Sequence, residues 1–402
     1  MVSNWFTLSA DTFLWLKGHY GLAYNTDNKK KVLFSLSENI EKICQQLLIT
    51  ENLYSAELTQ NEMRDREVTQ WMDSLIKIKA GFLSENVTYE KRPVSLNPIL
   101  KVQDKKEYYE KKHNDGFGGE ILENLHDLIF YINGSDHGNN TNYKQTLFPL
   151  KGCQTLDSSK IISFIRNSRN PFLNTINLVG NVFSYPGIEE LNTYFSDNQI
   201  QSTVYILIQD FIANVNRMKE IHWQDTTQFI FLIDSVFDVS LFRDIDFIFS
   251  IRAFVRSEND YSQYLSLLKN ISDNHTIKYI PLYNNENLDF FRSNVFIDQE
   301  VIEDIDLPKN EVFMHQTLNI EDFGKLTIVP DGLVYANVNA PSLGTINDSP
   351  YSIVYKEFIE GKSWFKIRAF FPCNECIYQW LCPSPSNYET VIGQPNLCKI
   401  HT

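Results

Sequence analysis

Four cysteines near the C-terminus carry the strongest chemical signal in the sequence. Their spacing is C-x2-C-x5-C-x15-C, whereas Cys44 and Cys153 stand far from any other cysteine. The close spacing is typical of a metal site and not of the spread-out disulfide framework of a secreted protein. Soft sulfur ligands bind zinc or an Fe–S cluster, and the spacing favours neither over the other; thiols without metal are a third interpretation. The candidate ligands are Cys373, Cys376, Cys382 and Cys398.

Length and charge limit what the rest of the chain can do. The 402 residues suggest two to three domains, and a hydrophobic fraction of 43% excludes global disorder. The formal net charge of −14 repels phosphate backbones, so we expect no nucleic-acid partner. The sequence lacks both an apolar run long enough to span a bilayer and a signal peptide at Met1, so we expect a cytoplasmic protein without a membrane partner.

Residues 1–84 predict a small winged-helix-like domain. The segments 14–24 and 31–36 have strand character. A helix is expected after Ser37 and a second one from about Asp65, because apolar residues recur there at helical spacing. Residues 85–125 are rich in charge and glycine and predict a solvated linker.

Residues 126–310 predict an α/β domain with a parallel sheet. Apolar runs alternate with amphipathic stretches, as in βα units. Six such units fit an open, partial (β/α)6-type barrel better than the closed barrel of eight. The predicted strands span residues 128–132, 175–179, 203–209, 228–233, 246–255 and 277–283.

The C-terminal unit, residues 311–402, resembles the SPASM domain, the C-terminal module of peptide-modifying radical SAM enzymes. The resemblance rests on Phe323-Gly324, the turn at 328–332, Leu343-Gly344-Thr345-Ile346, Trp364, Arg368 and the C-x2-C-x5-C motif with a final cysteine. SPASM domains normally hold two auxiliary [4Fe-4S] clusters on seven cysteines. The cysteines of the first cluster are missing here, so the resemblance implies one [4Fe-4S] cluster on the four C-terminal cysteines, with zinc as the alternative.

The barrel lacks the residues with which radical SAM enzymes bind their cofactors. Such a barrel carries C-x3-C-x2-C after its first strand, but residues 133–140 contain no cysteine. Only Gly180 remains where a Gly-Gly-Glu-like motif should follow the second strand. The chain therefore resembles the pseudo-radical-SAM proteins of the GG-Bacteroidales peptide maturation system. That resemblance implies a radical-SAM-like barrel without SAM or catalytic residues, and a partner radical SAM maturase.

The N-terminal unit resembles a RiPP precursor recognition element, which binds the leader of a precursor peptide as an added strand. We expect the groove between the strand at 31–36 and the helix at 64–79. A DNA-binding winged helix and a purely packing role are the alternatives, and the helix shows no basic face for DNA. The candidate leader-binding residues are Lys31, Val32, Leu33, Phe34, Arg66, Gln70, Asp73 and Lys77.

Two other functions remain compatible with the sequence. The barrel mouth could have gained a SAM-independent activity, which would require convergent polar groups at the carboxyl ends of the strands. Alternatively, the C-terminal cluster could carry electrons to the maturase, which would require iron and not zinc.

Overall fold

The computed structural model describes residues 2–99, 105–116, 118–152, 154–245, 247–269, 271 and 275–400. Cys153 lies outside the described residues. The strands of the N-terminal unit are β1 (Val2–Leu8), β2 (Thr12–Lys17), β3 (Tyr20–Asn25), β4 (Lys30–Ser35), β5 (Ser55–Leu58) and β6 (Gly81–Thr88). Its helices are α1 (Glu38–Leu48), α2 (Gln60–Arg64) and α3 (Arg66–Lys77).

The N-terminal strands form two antiparallel sheets, with the strand orders β5-β1-β6 and β2-β3-β4. The segment 14–24, expected as one strand, is a hairpin of β2 and β3. Gly18 adopts a φ of +55° in the turn, a conformation that glycine tolerates best. Helices α1 and α3 occur where the apolar spacing predicted them, and both bury their apolar faces in one core with β1 and β5.

The segment expected as a linker is partly structured. Strand β6 extends to Thr88, and helix α4 (Lys105–Asn114) packs against helix α13 (Pro350–Glu360). The ring centroids of Tyr109 and Phe358 lie 4.7 Å apart, and those of His113 and Tyr355 lie 4.2 Å apart. The high charge of this segment obscured these aromatic contacts, which hold α4 on the rest of the molecule.

The middle of the chain forms a parallel sheet with helices between successive strands. Its strands are β7 (Asp127–Tyr131), β8 (Thr175–Val179), β9 (Ser202–Leu207), β10 (Gln228–Ile233), β11 (Phe249–Val255) and β12 (Thr276–Pro281). Its helices are α5 (Ser158–Ser168), α6 (Ile188–Asp197), α7 (Ile208–Ala213), α8 (Val215–Glu220), α9 (Glu258–Leu268), α10 (Leu288–Asn294), α11 (Gln299–Asp304) and α12 (Lys309–Thr317).

The C-terminal unit extends this sheet. Strand β13 (Lys325–Ile328) pairs in parallel with β7, and β14 (Leu333–Tyr335) and β15 (Gly344–Thr345) follow as antiparallel strands. The result is a mixed α/β architecture with one nine-stranded, mostly parallel sheet in the order β12-β11-β10-β9-β8-β7-β13-β14-β15. The unit ends with α13 and α14 (Asn387–Ile392).

The two faces of the parallel strands differ in character. Side chains such as Phe130, Leu178 and Phe231 join the large core beneath the helices. The opposite face is concave, and its side chains change along each strand. Near the strand starts they are polar, as at Thr175, whereas near the strand ends they are apolar, as at Val179.

Candidate functional site

The four C-terminal cysteines surround one small cavity. Its volume is about 20 Å³, and its walls also include Arg368, Gln379 and Asn396. All four cysteines are free thiols. The structure thus brings together the four residues that the spacing predicted as ligands.

Different segments deliver these cysteines. Cys373 begins a short 3-10 helix, residues Cys373–Glu375, and Cys376 follows directly after it. Cys398 comes back to the site because its segment forms a parallel bridge with Ile297. The amide of Ile297 donates a hydrogen bond of 2.9 Å to the carbonyl of Leu397, and the amide of Lys399 donates one of 2.9 Å to the carbonyl of Ile297.

Hydrogen-bond donors and one buried cation face the thiols. A guanidinium nitrogen of Arg368 lies 3.8 Å from Sγ of Cys373, and the side-chain amide of Asn396 lies 3.9 Å from the same sulfur. The backbone amide of Ile400 donates to Sγ of Cys398 over 3.2 Å. Donors of this kind stabilise negatively charged sulfur, as in metal thiolates.

Arg368 is held in place by a buried ion pair. It is 7% exposed, and its guanidinium lies 2.8 Å from Glu389. The carbonyl of Arg368 in turn accepts a hydrogen bond of 2.8 Å from Gln379. The sequence reasoning singled out Arg368 but missed Glu389, whose only signal was a capping-box spacing after Ser386.

Burial favours the protonated form of two of these thiols, Cys376 and Cys382. Burial raises the pKa of Cys382 to about 12, and the positive charge of Arg368 opposes that shift. Burial also raises the pKa of Cys376, and the neighbouring Cys398 and Cys373 add to the shift. A bound metal must therefore displace protons from these sulfurs.

Among the described residues, no group of three or more His, Cys, Asp and Glu side chains converges closely enough to hold a single metal ion.

Strand β4 borders the expected leader groove. It is the last strand in the order β2-β3-β4, so one of its edges has no paired strand within the described residues. Val32 and Phe34 point towards the core beneath α3, and the rings of Phe34 and Trp71 are 5.6 Å apart. Leu33 points to the other side and lines a cavity of about 520 Å³ with Glu303 and Asp304.

One face of α3 lies towards β4. Trp71 contacts Phe34 of that strand, and Glu67, Ser74 and Ile78 lie on the same face because they are three, four or seven positions from Trp71. We call Glu67, Trp71, Ser74 and Ile78 the α3 stripe. The expected residues Gln70 and Lys77 adjoin this stripe on its solvent side. Arg66 and Asp73 lie farther round the helix, and all four are exposed.

Lys31 has a structural role that the sequence did not suggest. Its ammonium group donates to the carbonyls of Ile302, Glu303 and Ile305 at the C-terminal end of α11, over 2.9 Å to Ile305. Carbonyls at a helix end lack partners within the helix and attract a cation. Lys31 is thereby engaged within the chain and is not a free side chain for a peptide.

The inward-facing side chains at the carboxyl ends of the parallel strands are apolar. The last inward-facing residues include Tyr131, Val179, Leu207 and Phe254, and all belong to one buried cluster. Phe148, from the loop after β7, is 1% exposed within that cluster, with its ring 5.2 Å from that of Phe254. We call this group, Tyr131, Phe148, Val179, Leu207, Leu232 and Phe254, the apolar plug.

The loops after β7 and β8 bind each other above the plug. The side-chain oxygen of Asn133 accepts a hydrogen bond of 2.8 Å from the backbone amide of Asn181. The side-chain amide of Asn133 donates a hydrogen bond of 2.9 Å to the backbone carbonyl of Asn181. A Cβ at Gly180 would lie 2.5 Å from that same side-chain oxygen. Gly180 is thus required by the close approach of the two loops, a packing reason that applies in the absence of any ligand.

Comparisons with known proteins identify no family for this chain. No family model and no curated protein matches the sequence. Similar solved structures include Streptococcus suis SuiB bound to precursor peptide SuiA and SuiB bound to S-adenosylmethionine. Their TM-scores are 0.44 and 0.43, with 12% identity over 98% of this chain and 98% of SuiB in both cases.

A further similar structure is BtrN in complex with AdoMet and 2-DOIA. Its TM-score is 0.31, at 9% identity over 59% of this chain and 86% of BtrN. All these TM-scores are below 0.5, so the likeness establishes no family membership. Separately, no helix in the described part of the chain is both long and apolar enough to cross a membrane.

Proposed function

We propose that this chain is a non-catalytic peptide-binding protein that assists a separate radical SAM maturase of a ribosomally made peptide. The observation that carries this proposal is the edge of β4 beside α3, which has no paired strand within the part of the chain that the structure describes. An extended leader peptide can add to such an edge through backbone hydrogen bonds, while its alternate side chains contact the two flanks. A protein that binds both the peptide and the maturase raises the effective concentration of one for the other.

The two flanks of the β4 edge present different side chains to a bound peptide. One flank is formed by Glu67, Trp71 and Ser74 of the α3 stripe. The other flank is the cavity next to Leu33, which is lined by charges of both signs: Lys29, Lys30, Lys31, Glu303 and Asp304. We expect bound peptides to place charged or polar side chains towards this cavity and apolar ones towards Trp71.

The C-terminal cysteines form the second part of the proposal. Four thiols around one cavity, with Arg368 and Asn396 donating towards sulfur, fit a [4Fe-4S] cluster bound by Cys373, Cys376, Cys382 and Cys398. The preference for a cluster over a single zinc ion rests on the resemblance of the C-terminal unit to the SPASM domain. Such a cluster has no iron site left open for a substrate, so its contribution is to fold the C-terminal unit.

The apolar plug supports a barrel that binds no SAM and does no chemistry at its mouth. A catalytic mouth needs convergent polar groups at the carboxyl ends of the strands. The inward-facing positions there are occupied by buried side chains such as Phe148 and Leu207. The polar groups just beyond the strand ends are hydrogen-bonded to one another, Ser135 to Asp210 and Gln209 to Asp234.

Electron transfer to the maturase is the second candidate function. It is favoured by Phe371, which is 70% exposed only two residues before Cys373 and offers an apolar contact beside the cluster. Reduction of the cluster by dithionite can be monitored by electron paramagnetic resonance. A cluster that dithionite does not reduce would exclude this function.

Peptide binding can be tested with a matched pair of variants. A random peptide library displayed on phage, selected against the full chain, supplies a fluorescein-labelled probe. Gln70→Trp places a bulky ring beside the α3 stripe and should weaken probe binding at least tenfold in fluorescence polarisation. Gln45→Trp makes the same change on the exposed side of α1 and should leave the affinity unchanged.

Amide hydrogen exchange gives the second readout of this experiment. The bound probe should slow exchange in residues 30–35, because an added strand pairs with the free edge of β4. Selected peptides that bind both variants equally well and leave exchange in β4 unchanged would contradict the proposed binding site.

A further inference from the structure

The concave side of the barrel contains a polar chamber below the apolar plug. Its volume is about 650 Å³, which is within the range of small-molecule and side-chain binding sites. It lies towards the amino-terminal halves of the parallel strands and reaches the C-terminal unit at Asn337 and Tyr388. The side chains that matter for its chemistry are Asp127, Asn177, Tyr205, Arg252, Asp322 and Lys325.

Arg252 is the distinctive group in this chamber. Its guanidinium lies over the ring of Tyr205, 5.0 Å from the centroid, and the side chain is only partly exposed. The described ion pairs give Arg217, Arg292 and Arg368 carboxylate partners, but none involves Arg252. A half-buried guanidinium without a carboxylate partner costs solvation free energy, which a bound anion would recover.

Neighbouring residues fix the orientation of Arg252. The hydroxyl of Tyr205 donates a hydrogen bond of 3.3 Å to the side-chain oxygen of Asn177, and this fixes the ring on which the guanidinium lies. Stacking on an aromatic ring leaves the N–H groups at the edge of the guanidinium free to form paired hydrogen bonds. Lys325 is differently engaged, because its ammonium group donates to the carbonyl of Glu321.

The surroundings of Arg252 select among anions. Asp127, Glu321 and Asp322 also line the chamber, so a doubly charged phosphate would be repelled by three carboxyl groups. Phosphate sites are commonly built from helix amino termini or clusters of backbone amides, whereas this wall consists of side-chain hydroxyls and amides such as Thr175, Thr203 and Gln228. A singly charged, planar carboxylate matches one guanidinium in both charge and shape.

We propose that the chamber binds a carboxylate group through Arg252, with the rest of the ligand held by hydrogen bonds to the polar chamber wall. The inference rests on the proposed peptide-binding function and deepens it. The carboxylate belongs to a peptide, either at its C-terminus or on an acidic side chain. The leader would occupy β4, and an acidic part of the same peptide would enter the chamber.

Three synthetic probes separate the two sources of the carboxylate. Ac-Gly-Gly-Ala carries only a C-terminal carboxylate, Ac-Gly-Glu-Gly-amide carries only a side-chain carboxylate, and Ac-Gly-Gln-Gly-amide carries none. Binding to the full chain is measured by ligand-detected NMR titration. One of the two carboxylate probes should bind, and the neutral probe should bind at least tenfold more weakly.

Variants assign the binding to Arg252. Arg252→Gln should lower the affinity for the carboxylate probe at least tenfold, and Arg252→Lys should keep part of that affinity. Arg166→Gln removes the same charge on the exposed face of α5 and should have no effect. Circular dichroism and thermal unfolding confirm that each variant is folded.

The proposal is overturned if neither carboxylate probe binds, if the neutral probe binds equally well, or if a folded Arg252→Gln protein keeps full affinity. Binding of the phage-selected probe at β4 should be unchanged in Arg252→Gln. Loss of the chamber site can therefore be distinguished from loss of leader binding.

Discussion

At the scale of single residues, the partner of each buried charge determines what its site can bind. Arg368 is paired with Glu389 and turns a remaining N–H group towards Cys373, so it supports a thiolate site. Arg252 lies against Tyr205 without a carboxylate partner among the described residues, so it can accept one from a ligand. The two arginines thus differ because only Arg368 is neutralised by a carboxylate among the described residues.

Asp322 shows how burial controls a charge in the chamber wall. Burial raises the pKa of Asp322 from 3.8 to about 6, although the amide of Asn337 donates to both carboxyl oxygens over 2.9 Å and opposes the shift. Between pH 4 and 6 the folded state therefore binds more protons than the unfolded state. Consequently, this group lowers the free energy of unfolding as the pH rises through that window.

We expect Asp322→Asn to remove this pH dependence. Between pH 4.5 and 7.5 the wild-type protein should lose about 1–2 kcal/mol more unfolding free energy than the variant does. Urea unfolding at both pH values measures the difference, and any constant cost of the substitution cancels. Asp197→Asn, at an exposed position, is the control and should follow the wild type. Parallel pH profiles for the wild type and Asp322→Asn would contradict the raised pKa.

At the scale of elements, the loop after β7 covers the carboxyl ends of the parallel strands. The backbone amide of Ser135 donates a hydrogen bond of 2.8 Å to the carbonyl of Leu150, which folds the loop back on itself and places Phe148 in the apolar plug. The plug is therefore an integral part of the core and not a surface lid.

Phe148→Ala tests this role of the loop. Removing a fully buried aromatic ring typically costs about 3–5 kcal/mol through lost burial and the cavity that remains. We expect a destabilisation of that size, together with faster hydrogen exchange in residues 133–152. Phe172→Ala, at a position 49% exposed, should cost less than about 1 kcal/mol. Equal, small effects of both variants in thermal unfolding would show that the loop does not stabilise the barrel.

The sequence predicted buried elements better than partly exposed ones. Strands β8 and β10 begin and end where the apolar runs do, because a strand covered on both faces reads as a continuous apolar run. Strands β1, β5 and β6 were not predicted, since their pairing joins segments distant in the sequence and follows no local apolar run. Helix α4 was missed because its charged residues mask the few aromatic contacts that hold it.

The candidate sites show the same limit. Spacing predicted that the four cysteines come together, because Cys373, Cys376 and Cys382 lie close in sequence. The return of Cys398 depends on the fold, through the bridge of its segment to Ile297. The binding of Lys31 to the end of α11 could not be predicted, because it joins residues more than 270 positions apart. The chamber around Arg252 also depends on the shape of the whole sheet, and a single arginine in a strand gives no signal of it.

At the scale of the whole molecule, the β2-β3-β4 sheet and the cysteine site share one core. Phe13 and Leu22 of the β2-β3-β4 sheet pack with Cys376 and Leu381. Tyr24 also joins the two units through two hydrogen bonds. Its hydroxyl donates one of 2.8 Å to the carbonyl of Leu307 and accepts one of 2.7 Å from the amide of the same residue. Folding of the C-terminal site should therefore also fix the position of β4, the strand proposed to bind the leader.

The most direct test of the proposed function is the iron, sulfide and zinc content of anaerobically purified protein. One four-thiolate cluster and a barrel without a cofactor predict about four irons per chain, with the visible absorbance lost in Cys376→Ala. Cys44→Ala is the matched control, because Cys44 is also buried but lies in the N-terminal core, and it should keep its iron. About eight irons would contradict the account by placing a second cluster in the barrel, and about one zinc without iron would contradict the [4Fe-4S] assignment.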